Sequence, residues 1–361
     1  MNDKVTLMKG NEALAMAMIR YGADGYFGYP ITPQSEVLEK LEEEMPWDTT
    51  GMVVLQAESE VAAINMVYGG AMTGKAVCTS TSSPGFSLMQ EGVSYLAASE
   101  VPALLINVQR GGPGLGTIHA SQADYFQACK GGGHGDYHMI VLAPSSVQEM
   151  ADMVALGFDL AFKYRCVSMI LADGTIGQLM EKVVLPEQRP RRTDEEIRQQ
   201  CPWAVTGRKG MRPSNVVTSL ELDDDKMEEN NWRFQACYRE IEKNETRCEL
   251  IDVEDCDYLI TAFGTTARVA MKTMELARAE GIKVGMFRPI TLWPFPEKQL
   301  REAAKNVKGI LCVELNAGQM VEDVKLAVEC KMPVEHYGRF GGNVPTPDEL
   351  LNVLKEKLIN K

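Results

Sequence analysis

Apolar runs and amphipathic periods alternate along the first half of the chain. Short runs of strand type, rich in Val, Ile and Leu, cover 25–29, 52–56, 76–80, 101–109, 138–142 and 167–171. Between them, helices are expected over 10–21, 33–45, 58–72, 84–98 and 145–163. Strands that are apolar on both faces and alternate with helices predict a parallel sheet covered on both sides. Such sheets bind their ligands beyond the carboxyl ends of the strands. This chain places "GYPITP", "QAESE", "TSTSSPG" and "NVQRGGPGLGT" there.

From about residue 186 the pattern changes. "PEQRPRRTDEEIRQQ" and "LELDDDKMEENNWRFQACYREIEKNETRCEL" are charged and carry little apolar periodicity. Residues 186–256 therefore read as a connecting segment with one exposed helix over roughly 224–246, its charges a solvated face. A second, smaller α/β unit follows over 257–361, with strands in "DYLITAFG", "KVGMFRP", "KGILCVEL" and "MPVEHYG". Its last helix is capped by Thr346, with Pro347 at the first helical position and Asp348 and Glu349 in the first turn.

Composition narrows the function. The 361 residues suffice for two cores. With 37 basic against 50 acidic residues, the net charge of −13 counts against nucleic acid as the main partner. A small anion needs local arginines to overcome that field. The start has no apolar core of signal-peptide length and no 18-residue apolar run follows, so a cytoplasmic protein without membrane contact is expected. Nine cysteines at irregular spacings, with no C-x-x-C, read as reduced thiols and lack the usual ligand pattern of an iron–sulfur cluster or zinc. "RGGPGLGT" and "FGTTA" match neither the dinucleotide fingerprint nor the P-loop; the second reads as a plain strand-to-helix turn. His134 and His138 stand without a Cys or Glu at metal spacing.

Three stretches hold candidates for chemistry. Wound at about 100° per residue, Glu60 falls on the same stripe as Ile64, Val67 and Ala71, while Glu58 falls beside Asn65 and Gly69. A first-turn acid favours the helix dipole, which accounts for Glu58 and Glu60 equally. It does not account for a carboxylate on the apolar stripe, where a missing partner is costly. A ligand nitrogen sharing the proton would be such a partner, and periodicity alone leaves both readings open. Arg110 directly follows an apolar strand and precedes Gly111–Gly112, either as a surface arginine or as a fork for a carboxylate. Pro30 and Pro33 stiffen a loop from which Thr32 offers a hydroxyl.

Together, "GYPITPQSEVLE", "QAESEVAAINMVYGGA", "TSTSSPGFSLMQEGVSYL", "NVQRGGPGLGT", "GGGHGDYHMIVLAPSSVQEM", "YLITAFGTTARVA" and "FRPITLWPFP" resemble the alpha chain of 2-oxoacid:ferredoxin oxidoreductases. The likeness runs in order over nearly the whole chain and is nearest to the branched-chain, 2-oxoisovalerate branch. It implies a thiamine diphosphate pyrimidine-binding domain over 1–185 and a transketolase-C-terminal-like domain over 257–361. It also implies that Glu60, in Ser59–Glu60–Val61–Ala62–Ala63, hydrogen-bonds N1′ of thiamine, with Ser59 and Pro30 against the cofactor. Glu58 is left as the helix-dipole acid. Thr32 and Arg110 then contact the substrate, Arg110 through its carboxylate. No G-D-G segment and no cluster motif occurs here. The resemblance assigns the diphosphate and Mg²⁺ to a beta subunit and 4Fe–4S clusters to a ferredoxin-like subunit, beside a gamma-type subunit. The implied reaction turns a 2-oxoacid and CoA into acyl-CoA and CO₂ and reduces ferredoxin. The 2-oxoglutarate enzymes are the alternative within the family; their chains carry a basic residue after the "GPG" loop, where "TIHASQADYF" has only His119. A non-redox thiamine transferase and a non-catalytic scaffold are the readings from other classes.

Overall fold

The computed structural model describes residues 5–208 and 212–360. Its largest sheet has seven strands, in the spatial order Thr291–Trp293, Ile140–Leu142, Val167–Asp173, Ala103–Gln109, Val77–Thr81, Gly25–Gly28 and Val53–Gln56. Every neighbouring pair is parallel except the first. The central strands are buried from end to end, as a sheet clothed on both faces requires. Helices Gly10–Tyr21 and Val147–Tyr164 pack against each other, and Glu60–Met72 packs against Ser83–Ala98. A short antiparallel pair, Val5–Lys9 with Met180–Val184, lies apart from the main sheet.

The second sheet has the order Val334–Gly338, Gly309–Glu314, Tyr258–Thr261, Val284–Pro289 and Cys248–Ile251. Its last strand is antiparallel and the rest are parallel. Ile260, Met286, Leu311 and Val313 pack there against Leu350 and Leu354 of the final helix, Pro347–Leu354. That helix starts as its sequence dictates: Glu349 N–H donates to Thr346 Oγ1 at 3.2 Å and Thr346 N–H to Glu349 Oε2 at 3.3 Å.

The two units are not successive blocks. Cys248–Ile251 lies inside the segment expected to be a connector, yet it forms an edge of the second sheet. Thr291–Trp293 lies within the expected second unit, yet it pairs with Ile140–Leu142 of the first sheet. Leu292 and Trp293 are buried there, which is what draws the strand across. Helix Asp224–Asn244 is mostly exposed but anchors Phe234, Tyr238 and Ile241 in the core. The buried Glu245 follows it and accepts from Lys163 Nζ and Tyr164 Oη, both at 2.6 Å, and from Arg247 Nη2 at 2.7 Å.

A buried carboxylate locks the units together. Asp173 ends the Val167–Asp173 strand and caps the next helical turn, accepting from the N–H groups of Thr175 and Ile176. The same carboxylate accepts from Thr265 N–H at 2.8 Å and Thr265 Oγ1 at 2.5 Å. Burial pushes it above the usual carboxylate range, against the pull of those bonds. Gln122 bridges alongside, donating to Phe263 O at 2.7 Å and accepting from Leu315 N–H at 3.0 Å. "FGTTA" is therefore more than a plain turn: the N–H and hydroxyl of Thr265 at its helix start are satisfied from the other unit. Among the described residues, no helix is long and apolar enough to cross a membrane.

Candidate active site

Four loops meet at the carboxyl edge of the first sheet, from adjacent strands in the order Ala103–Gln109, Val77–Thr81, Gly25–Gly28 and Val53–Gln56. After the last strand, Ser59 caps helix Glu60–Met72 by accepting from Ala62 N–H at 3.2 Å. Glu60 is the first helical residue and shares its buried stripe with Ala63, Ile64, Val67 and Ala71, as the periodicity requires. Glu58 is corrected: it lies before the cap, exposed, and is not a first-turn acid. The acid that serves the helix dipole is Glu60 itself. Ser59 spends its hydroxyl oxygen on the cap.

Glu60 is only 6 % exposed, yet among the described residues no hydrogen bond or ion pair reaches its carboxylate. It lies against Thr81 and Gly85. A Cβ at position 85 would stand 2.6 Å from Glu60 Oε1 and 2.2 Å from Thr81 Oγ1, so any side chain there must displace both groups. Thr81 Oγ1 and Ser82 Oγ are buried without hydrogen-bond partners, in a fold that otherwise satisfies most such groups.

Arg110 lies three strands along the same edge from Glu60 and is buried, not a surface arginine. Its Nη1 donates to Thr32 O at 2.8 Å, which joins the two candidate substrate residues directly. Its Nε is buried and unpartnered. The loop beyond closes on itself through the Arg110–Ala120 bridge and the bond from Gly111 N–H to His119 O at 2.9 Å. Gly116 permits that closure, since a Cβ there would fall on the Gly111 carbonyl. Thr32 and Pro30 are exposed in their loop. The loop is braced from below: Tyr26 Oη meets Ser80 Oγ at 2.6 Å, Ser80 donates to Gln34 Oε1 at 2.5 Å, and Asn11 Nδ2 donates to Pro33 O at 2.6 Å.

Thr81, Ser82 and Gly85 were not singled out by sequence reasoning. The one signal for them was "TSTSSPG", a run of hydroxyls and a glycine following an apolar strand. The assembled edge can hold a nitrogen base against Glu60 and a carboxylate against Arg110.

Residues 16–244 match the family model for pyruvate flavodoxin/ferredoxin oxidoreductase, thiamine diphosphate-binding. Residues 256–350 match that for pyruvate:ferredoxin oxidoreductase core domain II. The chain is 47% identical over 351 residues to the ketoisovalerate oxidoreductase subunit VorB of Methanothermobacter marburgensis, covering 97% of each. It is 34% identical over 377 residues to the 2-oxoglutarate synthase subunit KorA of the same organism, covering 96% of this chain and 97% of that one. Among solved structures, the 2-oxoglutarate:ferredoxin oxidoreductase of Magnetococcus marinus superposes with a TM-score of 0.84 at 28% identity. That match covers 98% of this chain but 65% of the other, which extends beyond it. A split gene transketolase shares the fold, with a TM-score of 0.62 at 13% identity. With both family models in sequence and a relative this similar along almost its full length, the chain belongs to the 2-oxoacid:ferredoxin oxidoreductases, as an alpha-type subunit with a thiamine diphosphate-binding domain.

Proposed function

We propose that this chain is the alpha subunit of an enzyme that oxidatively decarboxylates branched-chain 2-oxoacids, 2-oxoisovalerate foremost, to acyl-CoA and CO₂ with reduction of ferredoxin. The observation that carries the reading is the buried, unpartnered Glu60 carboxylate on the same sheet edge as the buried Arg110. Bound thiamine diphosphate supplies an electron sink for the bond to the departing carboxylate. Glu60 holds a proton shared with a ring nitrogen of the cofactor, and the Thr81 and Ser82 hydroxyls stand ready to meet polar atoms beside it. Arg110, oriented by the Thr32 carbonyl, grips the substrate carboxylate through the nitrogens that carbonyl leaves free, and Thr32 presents its hydroxyl from the exposed loop.

The partners follow from what surrounds the site. Val53, Leu55, Val61, Met66 and Leu88 are large, apolar and exposed on the strand and helices around Glu60, a surface that suits cover by another chain. That chain is the beta subunit, bringing Mg²⁺ and the diphosphate half. A ferredoxin-like subunit with 4Fe–4S clusters and a gamma-type subunit complete a cytoplasmic assembly. The branched-chain choice is supported by 47% identity to a ketoisovalerate oxidoreductase subunit against 34% to a 2-oxoglutarate synthase subunit. It is also supported by the stretch after Arg110, where His119 is the one basic side chain through Phe126. A second carboxylate would be desolvated there without a partner.

Competing 2-oxoisovalerate against 2-oxoglutarate in the reconstituted enzyme tests this. The expected result is a higher kcat/KM for 2-oxoisovalerate. A higher value for 2-oxoglutarate would overturn the assignment, and an assembly with no thiamine-dependent turnover of either would make the chain a scaffold.

A further inference from the structure

Arg110 is held at its backbone as well as at its guanidinium. Its N–H donates to Ser83 Oγ at 3.0 Å, and that hydroxyl donates to Asp124 Oδ2 at 2.6 Å. The same carboxylate oxygen accepts from Asn107 Nδ2 at 2.9 Å. Asn107 Oδ1 accepts in turn from Ser83 N–H at 3.0 Å. Ser83 is the first residue of helix Ser83–Ala98, so this N–H is one of the donors that a helix start leaves over. The ring thus ties together the end of a central strand, the start of a helix and the loop that follows Arg110.

Asp124 is its hub. The residue sits at the N-cap position of the short helix Tyr125–Cys129, where an aspartate ordinarily caps the turn that follows. Its side chain makes no such bond and points instead to Ser83 and Asn107. Its own N–H donates to Gln109 Oε1 at 3.1 Å, which fixes it against the strand that carries Arg110. Burial raises its carboxyl, and the bonds from Ser83 and Asn107 oppose the rise. A carboxylate is thus kept beneath the arginine at the expense of the local cap, without pairing to the guanidinium.

We propose that Asp124 is a positioning residue for Arg110: it touches no substrate, and through Ser83 it fixes the point at which the arginine leaves the backbone. This rests on the reading of Arg110 as the grip for the substrate carboxylate. A site that binds through a two-pronged fork tolerates displacements of only about 0.5 Å. Asp124→Ala removes the acceptor, leaving Asn107 Nδ2 unpaired and Ser83 Oγ with only the Arg110 backbone, whose N–H it accepts from at 3.0 Å and whose carbonyl lies 3.2 Å away, so the hydroxyl is no longer tied to the loop; Asp124→Asn restores an acceptor oxygen in the same place.

The test uses the reconstituted enzyme and two readouts: KM and kcat for 2-oxoisovalerate, and the Kd of 2-hydroxyisovalerate, which keeps the carboxylate but cannot decarboxylate. Asp124→Ala is expected to raise KM and Kd about tenfold, the effect of losing one charged hydrogen bond, while kcat and the KM for CoA stay within about twofold. Asp124→Asn returns both to near wild type. Ser83→Ala matches Asp124→Ala, and the double variant adds nothing further, as members of one chain of contacts should behave. The inference is overturned if Asp124→Ala leaves KM and Kd unchanged, if it lowers kcat and disturbs every KM alike, or if Asp124→Asn fails to rescue. Should Asp124→Ala not assemble, Ser83→Ala decides alone, and an unchanged Kd with it counts against the proposal. Arg110→Ala separates the two levels. If it too leaves the Kd unchanged, the reading of Arg110 falls; if it abolishes binding while Ser83→Ala and Asp124→Ala do not weaken it, only the role of Asp124 falls.

Discussion

Replacing Gly85 with alanine tests whether Glu60 depends on the space beside it. The new methyl would sit 2.6 Å from Glu60 Oε1 and 2.2 Å from Thr81 Oγ1. With ordinary contacts near 3.5 Å, the carboxylate would have to retreat by roughly 0.9 Å and the threonine hydroxyl by more. The backbone at 85 is not in the left-handed region, so alanine itself is unstrained there and gains up to about 1 kcal/mol of helix propensity. Overpacking of this kind costs about 1–3 kcal/mol, so the net stability change is small, at most about 2 kcal/mol. The catalytic effect is the larger one, because a misplacement near 1 Å can cost about 100-fold, about 2.7 kcal/mol of barrier. The expected outcome is a fall in kcat of about that size in the assembled enzyme, with a thermal midpoint only a few degrees lower by scanning calorimetry. Gly69 is the control: a Cβ there meets nothing, so Gly69→Ala should stabilise the isolated chain by up to about 1 kcal/mol. A Gly85→Ala enzyme with wild-type kcat would refute the argument that Glu60 works from its observed position.

Glu60→Gln keeps size but cannot carry the charge that a protonated ring nitrogen requires; kcat and deuterium exchange at thiamine C2 should fall by about 10²–10⁴. Glu58→Gln, in the exposed turn before the cap, should change neither. Arg110→Lys keeps the charge and loses the fork, so kcat/KM should drop by a similar factor for each branched-chain 2-oxoacid, all of which share the carboxylate. A drop confined to one acid would show that Arg110 reads the side chain instead. Burial raises the Glu245 carboxyl, but hydrogen bonds from Lys163, Tyr164 and Arg247 outweigh it and hold the group below its ordinary 4.5. The stabilisation is therefore fully present above 4.5 and lost as pH falls through the lower folded value. In urea titrations, Glu245→Gln should be destabilised at pH 7, and its gap to wild type should close in acid.

Most of the helices and strands are visible in the spacing of apolar residues, because that spacing is a property of each segment alone. The stripe through Glu60, Ile64, Val67 and Ala71 and the capping box at Thr346 and Glu349 belong to this local class. The Glu60 helix starts two residues later than its spacing predicts, because Glu58 and Ser59 both suit a helix start and only the cap geometry separates them. Other features depend on pairings between distant residues and leave no local trace. Asp173 meets Thr265, Asp124 meets Ser83 and Asn107, and Gly85 makes room for Glu60 only once the sheet has its order. Thr32 and Arg110 were named separately from two loops; that one grips the other through a carbonyl is a consequence of topology.

The exchange of edge strands has a consequence for how the protein is made. A ribosome delivers the chain from its amino end, and Thr291–Trp293 leaves long after the six strands it completes. Until then Ile140–Leu142 presents an open rim of unpaired N–H and carbonyl groups, a template for pairing with the wrong chain. The first unit is thus finished only by a segment born within the second. A chain cut between the two units would leave Ile140–Leu142 as an open sheet edge on the amino-terminal piece.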